Sequence, residues 1–326
     1  MPPVTYLEAI RQGIWEEMER DERVFILGED IGVYGGAFKV TEGMLERFGE
    51  SRVIDTPISE TAIVGAACGA ALMGMRPIAE MQFIDFISCC FDMITNFAAK
   101  SRYRWGAGIP IVVRGPCGGG VHGGPFHSQN VEAYFFHTPG LKIVEPATAY
   151  DAKGLIKAAI RDEDPVLYFE HKYLYRLPKL REELPAEDYI VPIGKAAVKR
   201  KGRDISIITY GAMLHVALEA ADTLQQEGID VEVIDLRTLL PLDEETILNS
   251  VAKTSKAIIL HEDTRTGGIG GEIAAIISEK AFEYLDGPIV RVTAPDTPVP
   301  YSPPLEEFFL PNVPKLLKAA RELAAY

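Results

Sequence analysis

Two places in the chain combine residue types and spacing that could carry proton chemistry. The first is Gly115-Pro-Cys-Gly-Gly-Gly-Val-His-Gly-Gly-Pro-Phe-His-Ser-Gln129, which directly follows the strand-like run Ile109-Pro-Ile-Val-Val113. Gly118, Gly120 and Gly123 make a formal GxGxxG. A dinucleotide site needs a helix to start there, so that its N-terminus faces the pyrophosphate. Gly124 and Pro125 follow instead of an apolar-periodic run, which weakens that reading. What the glycines predict is a loop free to take positive φ, and such loops often present functional side chains on a rigid sheet. His127 closes the loop, where an imidazole could transfer protons near neutral pH; the plainer alternative is a histidine that only hydrogen-bonds. His122 lies in the same loop with less support, and His137, His171, His215 and His261 read as structural.

The second place is Asp55-Thr-Pro-Ile-Ser-Glu60, followed by a run from Thr61 to Gly74 made almost wholly of small and apolar residues. Glu60 stands at the mouth of that helix. One reading makes it a carboxylate that is favourable against the helix dipole. The other puts it at the edge of a dry pocket, where burial raises its pKa and lets it exchange a proton with a ligand nitrogen. Spacing alone leaves both open. Gly65, Gly69 and Ala70 would let another helix approach closely, which suggests an interface as well as a core.

Short β-branched runs alternate with amphipathic stretches along most of the chain, the pattern of strands joined by crossover helices. The plainest unit is a strand over Gly140–Pro146, a helix over Thr148–Asp162 and a strand over Pro165–Glu170. Thr148 with Asp151 makes a capping-box start, and Leu155, Ile156, Ala159 and Ile160 share one face. This βαβ unit implies a parallel sheet. From Tyr173 to Pro192 three prolines and mixed charge break the pattern, which reads as an interdomain connection. A second series follows, with strands over Asp204–Tyr210, Asp230–Asp235, Ala257–His261 and Pro288–Val292 and helices over Met213–Glu227 and about Gly271–Tyr284. The fold class is therefore α/β, two three-layer domains with mostly parallel sheets, residues 1–190 and 191–326.

The chain has 326 residues, which at about 150 per domain agrees with two. Lys plus Arg at 33 against Asp plus Glu at 47 gives a net charge of −14, which disfavours a nucleic-acid binder. The uncharged stretch Thr61–Met75 is too short for a membrane span of about 20 residues. The N-terminus lacks the basic start and apolar core of a signal peptide, so a cytoplasmic location is expected. Cys68, Cys89, Cys90 and Cys117 form no CxxC pair and read as reduced, mostly buried thiols.

Taken together, the chain resembles the β subunit of the E1 component of 2-oxo acid dehydrogenase complexes, the thiamine diphosphate-dependent decarboxylases of the pyruvate, branched-chain and acetoin group. The resemblance covers essentially the full length. It rests on Leu27-Gly-Glu-Asp30, Gly36–Gly43, Arg52–Glu60, Ala79-Glu-Met-Gln-Phe83, His127-Ser-Gln129, Tyr150–Leu155, Ala158–Asp162, Asp235–Leu239 and Ala294-Pro-Asp-Thr-Pro298. It implies a pyrimidine-binding domain followed by a transketolase-type C-terminal domain. Thiamine enzymes usually hold the diphosphate through Mg²⁺ bound at a Gly-Asp-Gly motif, and no Gly-Asp-Gly occurs here. The chain would then supply half of the cofactor site, with the Mg²⁺ ligands on an α subunit in an α2β2 heterotetramer.

By the same resemblance, Glu60 matches the glutamate that hydrogen-bonds N1′ of the aminopyrimidine. A proton shared there favours the 4′-imino tautomer, whose nitrogen removes the thiazolium C2 proton. His127 matches the histidine that manages protons during reductive acylation of the lipoyl group on E2. Phe86 takes the aromatic position lining the cofactor and substrate pocket, and Ile58 lies nearby. A structural potassium ion in some relatives would fall at Ile111, Ala159, Ile160, Asp162 and Asp164, where the plainer alternative is a solvated acidic helix end. Partners implied are the α subunit and E2, through its subunit-binding and lipoyl domains, and the acidic charge suits a basic E2 surface. The substrate leans slightly to branched-chain 2-oxo acids, with pyruvate or acetoin relatives as the alternative. Two readings from other classes are an NAD-dependent oxidoreductase and a non-catalytic scaffold.

Overall fold

The computed structural model describes residues 2–326 and resolves them into two compact units. One comprises the residues up to Cys117 together with Tyr134–Ile193, and the other comprises Gly118–Ala133 and Gly194–Tyr326.

In the first unit, helix α1 (Tyr6–Arg20) begins with a reciprocal cap, in which the Thr5 hydroxyl accepts from Glu8 N and the Glu8 carboxylate accepts from Thr5 N. The elements that follow are β1 (Val24–Gly28), α2 (Met44–Phe48), β2 (Val53–Asp55), α3 (Glu60–Leu72), β3 (Arg76–Glu80), α4 (Ala99–Trp105), β4 (Val112–Cys117), α5 (Glu132–Phe136, whose first two residues group with the second unit), β5 (Lys142–Val144), α6 (Ala149–Arg161) and β6 (Val166–His171). The strands lie in the order β5-β6-β4-β3-β1-β2, and each pairing is parallel. Central strands β1, β3, β4 and β6 are buried along their whole length, so their sequences do not alternate, and the charged residues they carry, Arg76, Glu80, Arg114 and Glu170, are buried with them.

The β5-α6-β6 unit forms as its periodicity predicts, with the Thr148 hydroxyl capping α6 through Asp151 N. Helix α6 is more deeply buried than one apolar face requires. It crosses α1 at Gly13, where a Cβ would come within 2.4 Å of Ile156 Cγ2. Its second face is covered by ion pairs: Lys153 and Lys157 both reach Glu16, at 2.6 and 2.5 Å, and Arg161 reaches the fully buried Glu17 at 2.6 Å.

The second unit adds β7 (Ala197–Arg200), β8 (Ile205–Thr209), α7 (Met213–Gln226), β9 (Val231–Asp235), β10 (Thr238–Leu240), α8 (Glu244–Thr254), β11 (Ala257–Thr264), α9 (Gly270–Lys280), β12 (Val290–Ala294), α10 (Pro303–Phe309) and α11 (Val313–Ala324). Its sheet runs β12-β11-β8-β9-β7. All neighbours are parallel except β7, which pairs antiparallel with β9. The sequence reading missed β7, because Ala-Val-Lys-Arg is short, partly exposed and lacks an apolar run.

Other differences are local. The strand expected over Ile109–Val113 lies at Val112–Cys117, displaced toward the glycine loop by the pairing of β4 with β6. Cys68, Cys90 and Cys117 are buried but Cys89 is exposed, as adjacent positions in the 3-10 turn Ile84–Cys90 face different ways. Among the described residues, no helix is long and apolar enough to cross a membrane.

Candidate functional site

Glu60 is the first residue of α3, and among the described residues no side chain caps that helix. Its carboxylate is partly exposed, and among the described residues none donates it a hydrogen bond. The helix buries Ile63, Val64, Ala67, Cys68 and Ala71, while Ala62, Ala66, Gly69 and Leu72 on the other side are exposed. A Cβ added at Gly69 would meet open space, so a small-residue face stands uncovered in this chain. The turn Ile84–Cys90, which carries Phe86, packs on α3, and the Thr61 hydroxyl donates to the Cys89 carbonyl at 2.5 Å. Phe86 is partly exposed and Ile58 is 82% exposed. Glu60, Phe86 and Ile58 are thus carried by elements of one unit that contact or adjoin each other.

A further carboxylate belongs to this region. Glu29 follows β1 directly, and its pKa is raised by burial, by the nearby Glu60 charge and by Asp30. Leu27-Gly-Glu-Asp30 was visible as a motif, yet nothing in its local pattern gives Glu29 a role. Glu80, at the end of β3 and paired in register with Gly28, is pushed up to about 7, chiefly by burial and against the pull of Arg114.

His127 sits in the second unit. The loop from Gly118 onward takes positive φ at Gly118, Gly120, His122 and Gly124. Such a backbone turns its N–H groups outward in a concave nest suited to an anion. Here the nest is filled from within the chain. Gly119 N donates to Glu262 Oε1 at 2.6 Å, and Asn130 Nδ2 donates to the same oxygen at 3.0 Å. Gly120 N donates to Glu306 Oε1 at 3.0 Å, His122 N reaches Glu306 Oε2 at 3.2 Å, and His122 Nδ1 lies 2.6 Å from that oxygen.

These contacts account for the formal GxGxxG. The glycines cradle two carboxylates rather than a pyrophosphate, and Gly124–Phe126 forms a 3-10 turn where a dinucleotide helix would begin. Glu262 and Glu306 lie 143 and 186 residues from the loop glycines they hold, so no local sequence signal could reveal them. These bonds also tie Gly118–Ala133 to the second unit, with which it groups.

Within the loop, a Cβ at Gly123 would lie 2.8 Å from Ser128 Oγ and 3.1 Å from His127 Cβ, so the chain folds tightly back on His127. His127 is partly exposed, and its N–H donates to the Gly124 carbonyl at 3.3 Å. His122 is exposed, while His261 is fully buried and its pKa falls to about 4, through burial and then the Arg291 charge. That histidine stays neutral in the core, as its structural reading requires.

The segment named for potassium is already occupied by protein donors. The carbonyls of Ile111, Ala159, Ile160 and Asp162 accept from Val166 N, Asp162 N, Arg76 Nε and Arg76 Nη2. The Asp162 carboxylate holds Lys142 Nζ at 2.7 Å, and Asp164 holds Arg102 Nε at 2.5 Å. Among the described residues no group of three or more His, Cys, Asp and Glu could hold a metal.

Residues 2–178 match the transketolase pyrimidine-binding domain and residues 194–316 the transketolase C-terminal domain. The chain is 56% identical to the 2-oxoisovalerate dehydrogenase subunit beta of Bacillus subtilis (strain 168), over all of both chains. It is 45% identical to the pyruvate dehydrogenase E1 component subunit beta of the same organism, again over all of both. The corresponding Staphylococcus aureus (strain COL) protein is 46% identical over 99% of each. Among solved structures, a split-gene transketolase described as an inactive beta4 tetramer superposes with a TM-score of 0.81 over 99% of both chains. At 23% identity, that is a likeness of fold.

Proposed function

The chain belongs to the E1 β-subunit family of the 2-oxo acid dehydrogenases, and we propose that it acts with an α subunit as a cytoplasmic α2β2 decarboxylase that acylates the lipoyl group of E2. The observation that carries this reading is Glu60: a carboxylate with no described donor, at the open mouth of an apolar helix. That arrangement suits a group that must share a proton with a ring nitrogen of a ligand.

The residues present fit the aminopyrimidine half of thiamine diphosphate and not its diphosphate. The one glycine nest in the loop is filled by Glu262 and Glu306, and the sequence has no Gly-Asp-Gly, so the Mg²⁺ ligands are assigned to α. When bound, the cofactor supplies the electron sink for loss of CO2. Glu60 holds a proton at N1′ and returns it. Phe86 and Ile58 line the pocket and exclude water from that proton. His127 moves a proton during transfer of the acyl group to the lipoyl thiol, and the C-terminal unit docks on the subunit-binding domain of E2. A structural potassium ion at Ile111, Ala159, Ile160, Asp162 and Asp164 would share carbonyls and carboxylates that already accept protein donors.

The substrate reading is a branched-chain 2-oxo acid, supported by 56% identity to the 2-oxoisovalerate relative against 45% to the pyruvate one. The test is turnover of the reconstituted α/β assembly with pyruvate, 2-oxoisovalerate and 4-methyl-2-oxopentanoate side by side. A higher kcat/KM for the two branched acids supports the reading, preference for pyruvate replaces it with the alternative, and decarboxylation by the β chain alone overturns the half-site.

A further inference from the structure

We propose that Glu306 and Glu262 are positioning residues, whose carboxylates set the shape of the loop that presents His127. Glu306 lies on α10 and is 1% exposed, and Glu262 lies on β11 and is 6% exposed. The two flank Gly119: a Cβ there would be 3.4 Å from Glu262 Oε1 and 3.4 Å from Glu306 Oε1, with Leu310 Cδ2 at 3.1 Å. Just beyond, Gly124 lies flat on the ring of Tyr301, where a Cβ would come within 2.2 Å of Cε1.

A loop with alternating left-handed residues cannot satisfy its own N–H groups, so its conformation is chosen by whatever accepts them. Here the acceptors are buried carboxylates, which form stronger and more directional bonds to N–H than neutral groups do. The bonds from Gly119, Gly120 and His122 therefore fix the first half of the loop, and the fold-back of Gly123 on His127 transmits that geometry to the imidazole. Neither carboxylate needs to touch substrate or cofactor.

This inference rests on the proton-transfer role proposed for His127. Its test uses the full-length variants Glu306→Gln and Glu262→Gln, which keep shape while removing charge. Hydrogen exchange of the full chain, followed by mass spectrometry, should show peptides covering 118–124 exchanging about tenfold faster while peptides of β8 and β11 stay unchanged. In the α/β assembly, acylation of a lipoylated E2 domain should fall about tenfold. Decarboxylation followed with an artificial electron acceptor, and KM for the 2-oxo acid, should hold, and Glu306→Asp should recover part of the loss. Unchanged exchange in the loop, or a parallel fall in both half-reactions, overturns the assignment. A wild-type assembly inert toward every 2-oxo acid would defeat the proposed function instead, and the exchange measurement would still decide the role of the carboxylates.

Discussion

The Tyr210 hydroxyl donates to Glu132 Oε1 at 2.5 Å, and both side chains are buried, at 4% and 1% exposure. Among the described residues, the second carboxylate oxygen of Glu132 has no hydrogen-bond partner. Burial, and then the charge of Asp263, push its pKa up to about 8, although the bond from Tyr210 opposes them. Burial also raises Asp263, to about 6, so both acids ionise at a higher pH in the folded chain than in the unfolded one.

The sign follows from that proton. Unfolded, a glutamate ionises at about pH 4.3, whereas the folded chain keeps Glu132 neutral until about pH 8. Stability is therefore full below about pH 4.3 and falls as pH rises from there to about 8, by at most about 1.4 kcal/mol per unit for this group. Glu132→Gln keeps an acceptor for Tyr210 and removes the ionisation. The variant should melt about 5 °C above wild type at pH 8 and close to it at pH 5. Thermal denaturation followed by circular dichroism across this range checks it, and identical pH profiles would refute the assignment.

Gly123→Ala tests the loop from its other side. The φ of Gly123 is −77°, so an alanine is conformationally permitted there, and the conflict is with Ser128 Oγ at 2.8 Å and the His127 carbonyl at 2.9 Å. The fold should persist while His127 shifts. The expected result is acylation of the lipoyl group reduced about 10- to 100-fold at an unchanged far-ultraviolet circular dichroism spectrum. Wild-type acylation in this variant would separate His127 from the reaction.

How much of this was legible beforehand depends on distance along the chain. The α6 helix with its Thr148 cap, the parallel β5-β6 pair and the candidate Glu60 follow from patterns within about 20 residues, which propensity and periodicity report. The partners of the glycine loop do not. A GxGxxG states only that N–H groups will point at an anion, and whether that anion is a ligand or a glutamate 186 residues away is settled by tertiary structure alone. The same holds for α6, whose lysines look solvated in sequence and are buried because α1 brings Glu16 to them.

Arg114 is another residue whose role the sequence hid. It is 1% exposed at the centre of the first unit's sheet, gives Glu170 a two-pronged contact with Nη2 to Oε2 at 2.6 Å, and pairs with Glu80 as well. Tyr175 donates to the same Glu170 oxygen at 2.7 Å. Arg114→Met fills similar volume but leaves two buried carboxylates without their cation, which should cost about 3–5 kcal/mol. A melting temperature lower by about 10 °C is expected, with Arg114→Lys recovering only part, since an ammonium cannot fork across a carboxylate. A melting temperature unchanged in Arg114→Met would show the triad to be energetically silent.

Glu60→Gln isolates the proposed proton from the fold. The residue opens α3 without capping it, and its carboxylate receives no bond from a described residue, so an amide in its place removes no contact that holds the unit together. Loss of the charge also relieves Glu29, whose raised pKa owes its second-largest contribution to Glu60. Assembly with α and thermal stability should therefore match wild type or exceed it slightly. Proton exchange at the thiazolium C2 should nevertheless slow by about 100-fold or more, because an amide cannot share a titratable proton with N1′. Rapid-quench exchange in deuterium oxide, read by proton magnetic resonance on the α/β assembly, measures it directly. Exchange at the wild-type rate in a fully assembled variant would remove Glu60 from the chemistry and leave it as a carboxylate placed favourably at a helix start.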